Sequence, residues 1–170
     1  MRNISYFLIV IISLFGCGES SPHSNNGNNH STHEWTDEQR AEFKTKCNQR
    51  ETFKIAPFCF KGFESDEFDS VLVKEYKDTS LISSFKAFVF PSQGPDEKKR
   101  KERWGHIERT MNIHYTYQFI VPGHKPFVLA NMKMVTGPAY TQGCENYMCE
   151  MADYTIDGVR FEDANPKFIK

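Results

Sequence analysis

The stretch "IHYTYQFIV" (113–121) constrains this chain more than any other. Ile113, Tyr115, Tyr117, Phe119 and Val121 alternate with His114, Thr116, Gln118 and Ile120. Side chains on a strand point in turn to two faces, so a period of two predicts a half-buried strand and argues against a helix. "Val121-Pro122-Gly123-His124" follows at once. Proline fixes φ at the second position of a type II turn, and glycine accepts the positive φ of the third. The chain must therefore fold back, and "FVLANMKMV" (127–135) supplies the partner strand, with Val128, Ala130, Met132 and Met134 expected inward.

Other elements group around this hairpin. Thr36 and Gln39 stand three apart before Ala41, Phe43 and Cys47, a capping-box pattern that predicts a helix over 37–48. Asp37 and Glu38 suit the positive end of its dipole. "IAPFCFKGF" (55–63) reads as an edge strand, because Pro57 and Gly62 interrupt it. In "FDSVLVKEYK" (68–77), Val71 and Val73 share one face and Leu72, Lys74 and Tyr76 the other. "SLISSFKAFVF" (80–90) reads as a helical turn followed by a short strand. "PDEKKRKERWGHIERTM" (95–111) reads as a helix, with Trp104, Ile107 and Met111 at i, i+3 and i+7. "DYTIDGVRF" (153–161) gives a last strand bent back at Asp157-Gly158. The expected fold class is α+β: a single antiparallel sheet with an N-terminal helix and one further helix on or beside it.

The N-terminus carries a different kind of signal. Arg2 precedes the apolar block "YFLIVIISLF" (6–15), and ten residues of helix rise only about 15 Å, half of a hydrocarbon core of about 30 Å. An export signal fits better than a membrane span. "Leu14-Phe15-Gly16-Cys17" resembles the lipobox of bacterial lipoproteins, although Phe15 replaces the small residue usual at its position. The resemblance covers the first 18 residues. It implies removal of residues 1–16, lipidation of Cys17 (palmitate is a typical acyl group), and attachment to a membrane. Two or more acyl chains give stable anchoring. Gly18 rather than Asp implies, in Gram-negative members, an outer-membrane destination. The next residues, "GESSPHSNNGNNHSTH" (18–33), are too polar to repay their own ordering entropy and read as a flexible tether. One domain, 35–170, is expected behind it.

With Cys17 lipidated, Cys47, Cys59, Cys144 and Cys149 remain as an even number of candidates for two disulfides. The short loops favour the local pairs Cys47–Cys59 and Cys144–Cys149, while a crossed arrangement stays open. A formal charge of −1 excludes the basic excess usual for nucleic-acid binding. His23, His30 and His33 lack a fourth rigid ligand, and Asp153, Asp157, Glu162 and Asp163 miss the calcium-loop register, so neither metal nor cofactor is expected. Nucleophile-elbow, zinc-protease, phosphate-loop and dinucleotide motifs are absent.

Two surfaces carry binding readings. Tyr147 and Met148 lie between Cys144 and Cys149, in what reads as a stapled loop. Lys98, Lys99, Arg100, Lys101 and Arg103 form the one marked basic run, read either as a headgroup contact or as a solvated face offset by Asp96 and Glu97. The expectation is a non-catalytic, lipid-anchored envelope protein that binds another protein, a toxin or cell-wall glycan. The alternatives are a structural part of an envelope assembly, or a small envelope hydrolase.

Overall fold

The structure is a computed structural model that describes residues 35–54, 57–64, 66–92, 96, 101–141 and 144–170. Helix α1 spans Asp37–Asn48. The strands are β1 (Thr52–Phe53), β2 (Phe58–Lys61), β3 (Ser70–Lys77), β4 (Ser80–Pro91), β5 (Glu102–Gly105), β6 (Met111–Asn112), β7 (Thr116–Ile120), β8 (Phe127–Thr141), β9 (Cys144–Ile156), β10 (Val159–Phe161) and β11 (Lys167–Ile169). Nine of them form one curled sheet in the order β10-β9-β8-β7-β3-β4-β5-β2-β11, a half-barrel, and β1 pairs separately with β6. Every neighbour in the large sheet is antiparallel except β11, which runs parallel to β2.

The helix and the central hairpin form where local chemistry places them. Thr36 Oγ1 accepts the Gln39 N–H and the Gln39 side chain accepts the Thr36 N–H, which closes the capping box. At the β7–β8 turn Gly123 takes φ +76° and the His124 N–H donates to the Val121 carbonyl at 3.1 Å. Asp157 and Gly158, with φ of +50° and +84°, fold β10 back onto β9.

The core fills the concave side and is largely aromatic. Phe60 is fully buried, with ring centroids of Phe168 at 4.8 Å, Phe68 at 5.4 Å, Phe58 at 5.7 Å and Phe63 at 5.8 Å. Phe168 also lies 4.5 Å from Phe119. The last strand thus plugs the middle of the core, and each such side chain contributes about 1.5–3 kcal/mol by burial.

The expected α+β class is corrected: among the described residues the molecule is mostly β, with one helix and a mixed sheet. The helix expected over 95–111 fails where it is described. Residues 102–105 form β5, between β4 and β2, because both need a partner there. Gly105, which weakens a helix, is what this strand requires. A Cβ at that position would stand 2.6 Å from Phe58 Cζ and 2.7 Å from the Phe88 carbonyl oxygen. Residues 80–90 contain no helical turn. Asp78, at φ +53°, turns the chain, and β4 pairs with β3 from Ser80 onward.

Two further expectations change. The segment 55–63 is not an edge, since β2 lies between β5 and β11; Pro57 and Gly62 flank the strand instead of interrupting it. Along β8, Phe127, Leu129, Met132 and Met134 are buried, whereas Val128 and Ala130 are half-buried. A register shift around Asn131, at φ +53°, swaps the faces midway, as an extra residue in a period-two strand must.

Candidate functional site

The outer face of β3, β4 and β5 holds more apolar surface than its position explains. Ala87 and Val89 point inward and are buried, so Lys86, Phe88 and Phe90 point outward by alternation. Phe88 is 63 % exposed and Phe90 58 %. Leu72 lies opposite Lys86 on β3, and the half-buried Trp104 lies opposite Phe90 on β5. Beside this face, after β5 ends at Gly105, residues 106–109 leave the sheet and border a groove of about 430 Å³ whose other wall is β4. Its lining is mainly apolar, from Phe85, Phe88, Phe90 and Ile107, with Lys86 and Arg109 as cations and Glu108 beside His106, 3.4 Å apart, as its acid.

A buried polar network anchors that groove wall. The Arg109 guanidinium lies 4.5 Å over the Phe85 ring and reaches Glu75 Oε2 at 3.4 Å. Glu75, inward-facing and 5 % exposed, also accepts from Ser83 Oγ at 2.6 Å and from the Tyr117 hydroxyl at 3.0 Å. The Tyr117 oxygen in turn accepts the Asn112 N–H at 2.8 Å, and burial raises its phenol pKa. A carboxylate held by three donors is satisfied. The network fixes residues 106–109 against β3 and β4, so the groove is preformed.

A second polar cluster lies at one end of the aromatic core. Glu67 Oε1 stands 2.7 Å from His124 Nε2 and 2.8 Å from Lys170 Nζ, while Glu67 Oε2 accepts the Glu64 N–H at 3.0 Å. The Lys170 hydrogen bond, followed by those from the Glu64 N–H and His124, holds the Glu67 carboxyl down to about 2. Phe63 contacts both His124 and Lys170. Among the described residues no group of three or more His, Cys, Asp and Glu side chains is placed to hold a metal ion.

Residues singled out in the sequence are dispersed. Cys47 bonds to Cys149, 102 residues away, with Cα atoms 5.5 Å apart, which corrects the favoured local pairing. Cys59 is free and buried, and burial pushes its thiol up to about 12, so it is chemically quiet. Cys144 opens β9 opposite Thr141, and its side chain lies outside the described residues. Cys144–Ile156, which holds Tyr147 and Met148, is strand β9 and not a stapled loop. Tyr147 is half-buried against Trp35 and Phe43, with Arg40 over its ring, so it fastens α1 to β9. Met148 is 49 % exposed.

Lys101 pairs with Glu64 at 3.2 Å, and buried Arg103 lies over Phe68. Cys17, Lys98, Lys99 and Arg100 lie outside the described residues. Sequence reasoning missed Lys86, Phe88 and Phe90. The available signal was "KAFVF", which is apolar on both faces of a strand when one face suffices. No protein-family model, no curated protein and no solved structure matches this chain.

Proposed function

We propose that this chain is a lipid-anchored protein of a bacterial cell envelope whose β domain is a non-catalytic module that binds another protein. The placement is supported by Leu14-Phe15-Gly16-Cys17 at the end of an apolar block, and by the Cys47–Cys149 bond, which suits an oxidising compartment. The binding role is carried by one observation: two phenylalanines more than half exposed, side by side on one strand face and bordering a preformed groove. Exposed aromatic clusters of this kind mark interaction surfaces.

Two measurements test the halves separately. In bacteria expressing the full chain, radiolabelled palmitate is expected on the parent protein and not on Cys17→Ser, which leaves the membrane fraction or stays unprocessed. Equal membrane partition and normal cleavage of both would overturn the anchor. For the face, Phe88→Ser with Phe90→Ser is expected to leave folding intact and to abolish crosslinking to envelope protein. Unchanged crosslinking would overturn the assignment.

A further inference from the structure

The β4 strand is paired along only part of one edge. On one side it pairs with β3 from Ser80 to Phe88. On the other, β5 covers only Val89, Phe90 and Pro91, because the chain departs after Gly105. The run from Ser80 to Phe88 therefore has no strand on its second side among the described residues.

The direction of its amides follows from two bonds. Val89 N–H donates to the Asp69 carbonyl, on the β3 side, and Ser92 N–H donates to the Glu102 carbonyl, on the β5 side. Backbone groups alternate sides along an antiparallel strand. Phe85 and Ala87 thus direct theirs to β3, while Ser84, Lys86 and Phe88 direct theirs into the groove.

Open edges are usually blunted, and the two terminal strands of the large sheet are short and charged. β10 and β11 have three residues each, and charged pairs sit on them, Arg160 with Asp153 and Lys167 with Asp163. The β4 edge is longer and carries a single charged side chain, Lys86. Leu81, Ile82 and Phe88 along it are each more than half exposed. The groove beside it has an apolar floor at Phe85 and Ile107. Lys86, exposed and without an acidic partner among the described residues, stands at the rim as the cation free to meet a ligand. Arg109 is paired with Glu75, and the one acid of the lining, Glu108, lies with His106 on the opposite wall.

We infer that the Ser80–Phe88 edge of β4 is a strand-addition site, which takes an extended protein segment of alternating acidic and apolar residues between β4 and residues 106–109. The segment's own backbone completes the amides of Ser84, Lys86 and Phe88, as in β-augmentation. Its apolar side chains face Phe85 and Ile107, and its acidic ones face Lys86 on the outside. The inference deepens the binding half of the proposed function and does not depend on the lipid anchor.

The probe is a short synthetic peptide of alternating glutamate and valine, labelled for anisotropy and titrated into the detergent-solubilised full chain. Saturable binding is expected, with a matching lysine–valine peptide at least about tenfold weaker. Lys86→Pro removes one groove-facing N–H and no β3 bond, and is expected to weaken binding about tenfold or more. Lys86→Ala keeps the amide and should weaken it about two- to fivefold. Hydrogen exchange on the unmodified chain provides a measurement that needs no variant. The Lys86 and Phe88 amides should exchange fast when free and slow with peptide, while those of Phe85 and Ala87 stay slow throughout.

Binding indifferent to Lys86→Pro, with no new protection at Lys86 and Phe88, would overturn strand addition while leaving a binding face intact. Absence of saturable binding would overturn it too, as would self-association through this edge or flotation with phosphatidylglycerol vesicles in place of peptide binding. Palmitate labelling of Cys17 is unaffected by any of these results, so the two proposals fail separately.

Discussion

The two ends of the sheet are held in different ways. Around β2, β5 and β11 the chain relies on apolar packing: Phe58, Phe60, Phe63 and Phe168 are all 0 % exposed and touch one another edge-on or stacked. Around β8 and β9 a long antiparallel strand pair carries α1. Yet α1 buries one residue, Cys47, which is also the residue bonded to Cys149. A twelve-residue helix with so thin an apolar stripe is marginal on its own. Trp35, Phe43 and Tyr147 add ring contacts, but the covalent link fixes the helix in register. One end is secured by aromatic packing, whereas at the other the helix is held to the sheet by a few ring contacts and one covalent bond.

The largest expected effect breaks the packed end. Phe60→Ala opens a cavity among six neighbouring rings, and it should cost about 3–5 kcal/mol, read as a lower urea midpoint with an unchanged slope. Loss of well under 1 kcal/mol would mean that the aromatic cluster does not hold this end. Replacing the link, by Cys47→Ser with Cys149→Ser, is expected to cost about 2–4 kcal/mol. Its sharper readout is local. Amide protection in α1 should vanish while that of β3 and β7 survives at a reduced level. Retained protection in α1 would show that the ring contacts suffice and would erase the contrast.

Legibility in the sequence followed the range of the interactions. Thr36 and Gln39 lie three residues apart, and Pro122-Gly123 is a dipeptide, so α1 and the β7–β8 turn could be read directly. β5 could not. Trp104, Ile107 and Met111 fall at helical spacing by coincidence, while the reasons for a strand (the Phe58 ring, the Phe88 carbonyl, two partners lacking neighbours) come from distant residues. The bulge at Asn131 had one local sign, an asparagine that tolerates the positive φ found there, but a lone Asn inside an apolar run does not fix a change of face. Cys47 and Cys149 paired across 102 residues because β9 carries Cys149 to the helix, a matter of topology that loop length alone misjudged. The candidate site was hidden for another reason. "KAFVF" is apolar on both faces, so periodicity shows that one face is surplus without showing which one meets water.

The smallest expected effect sharpens the contrast at the packed end, through its polar rim. Lys170, the last residue, donates to Glu67, and the Lys170 backbone N–H binds the Lys61 carbonyl, so this cluster ties the C-terminal strand to the loop before β3. Glu67 is depressed from 4.5 to about 2 in the folded chain, first by Lys170 and then by the Glu64 N–H and His124. A carboxyl with a lowered folded-state pKa contributes stability that is complete above its unfolded value and disappears as pH falls through its folded one. The contribution should therefore be whole above about pH 4.5 and lost progressively toward pH 2. Glu67→Gln should lower the thermal midpoint at pH 7 and flatten its decline across that window, until the two proteins converge near pH 2. Asp153, paired with Arg160 and Lys133 at the other end, is lowered as well and supplies the control. Asp153→Asn should change protection in β9 and β10 and leave β11 alone, whereas Glu67→Gln should do the reverse. Equal loosening of both edges by either substitution would show that the ends are not independently held.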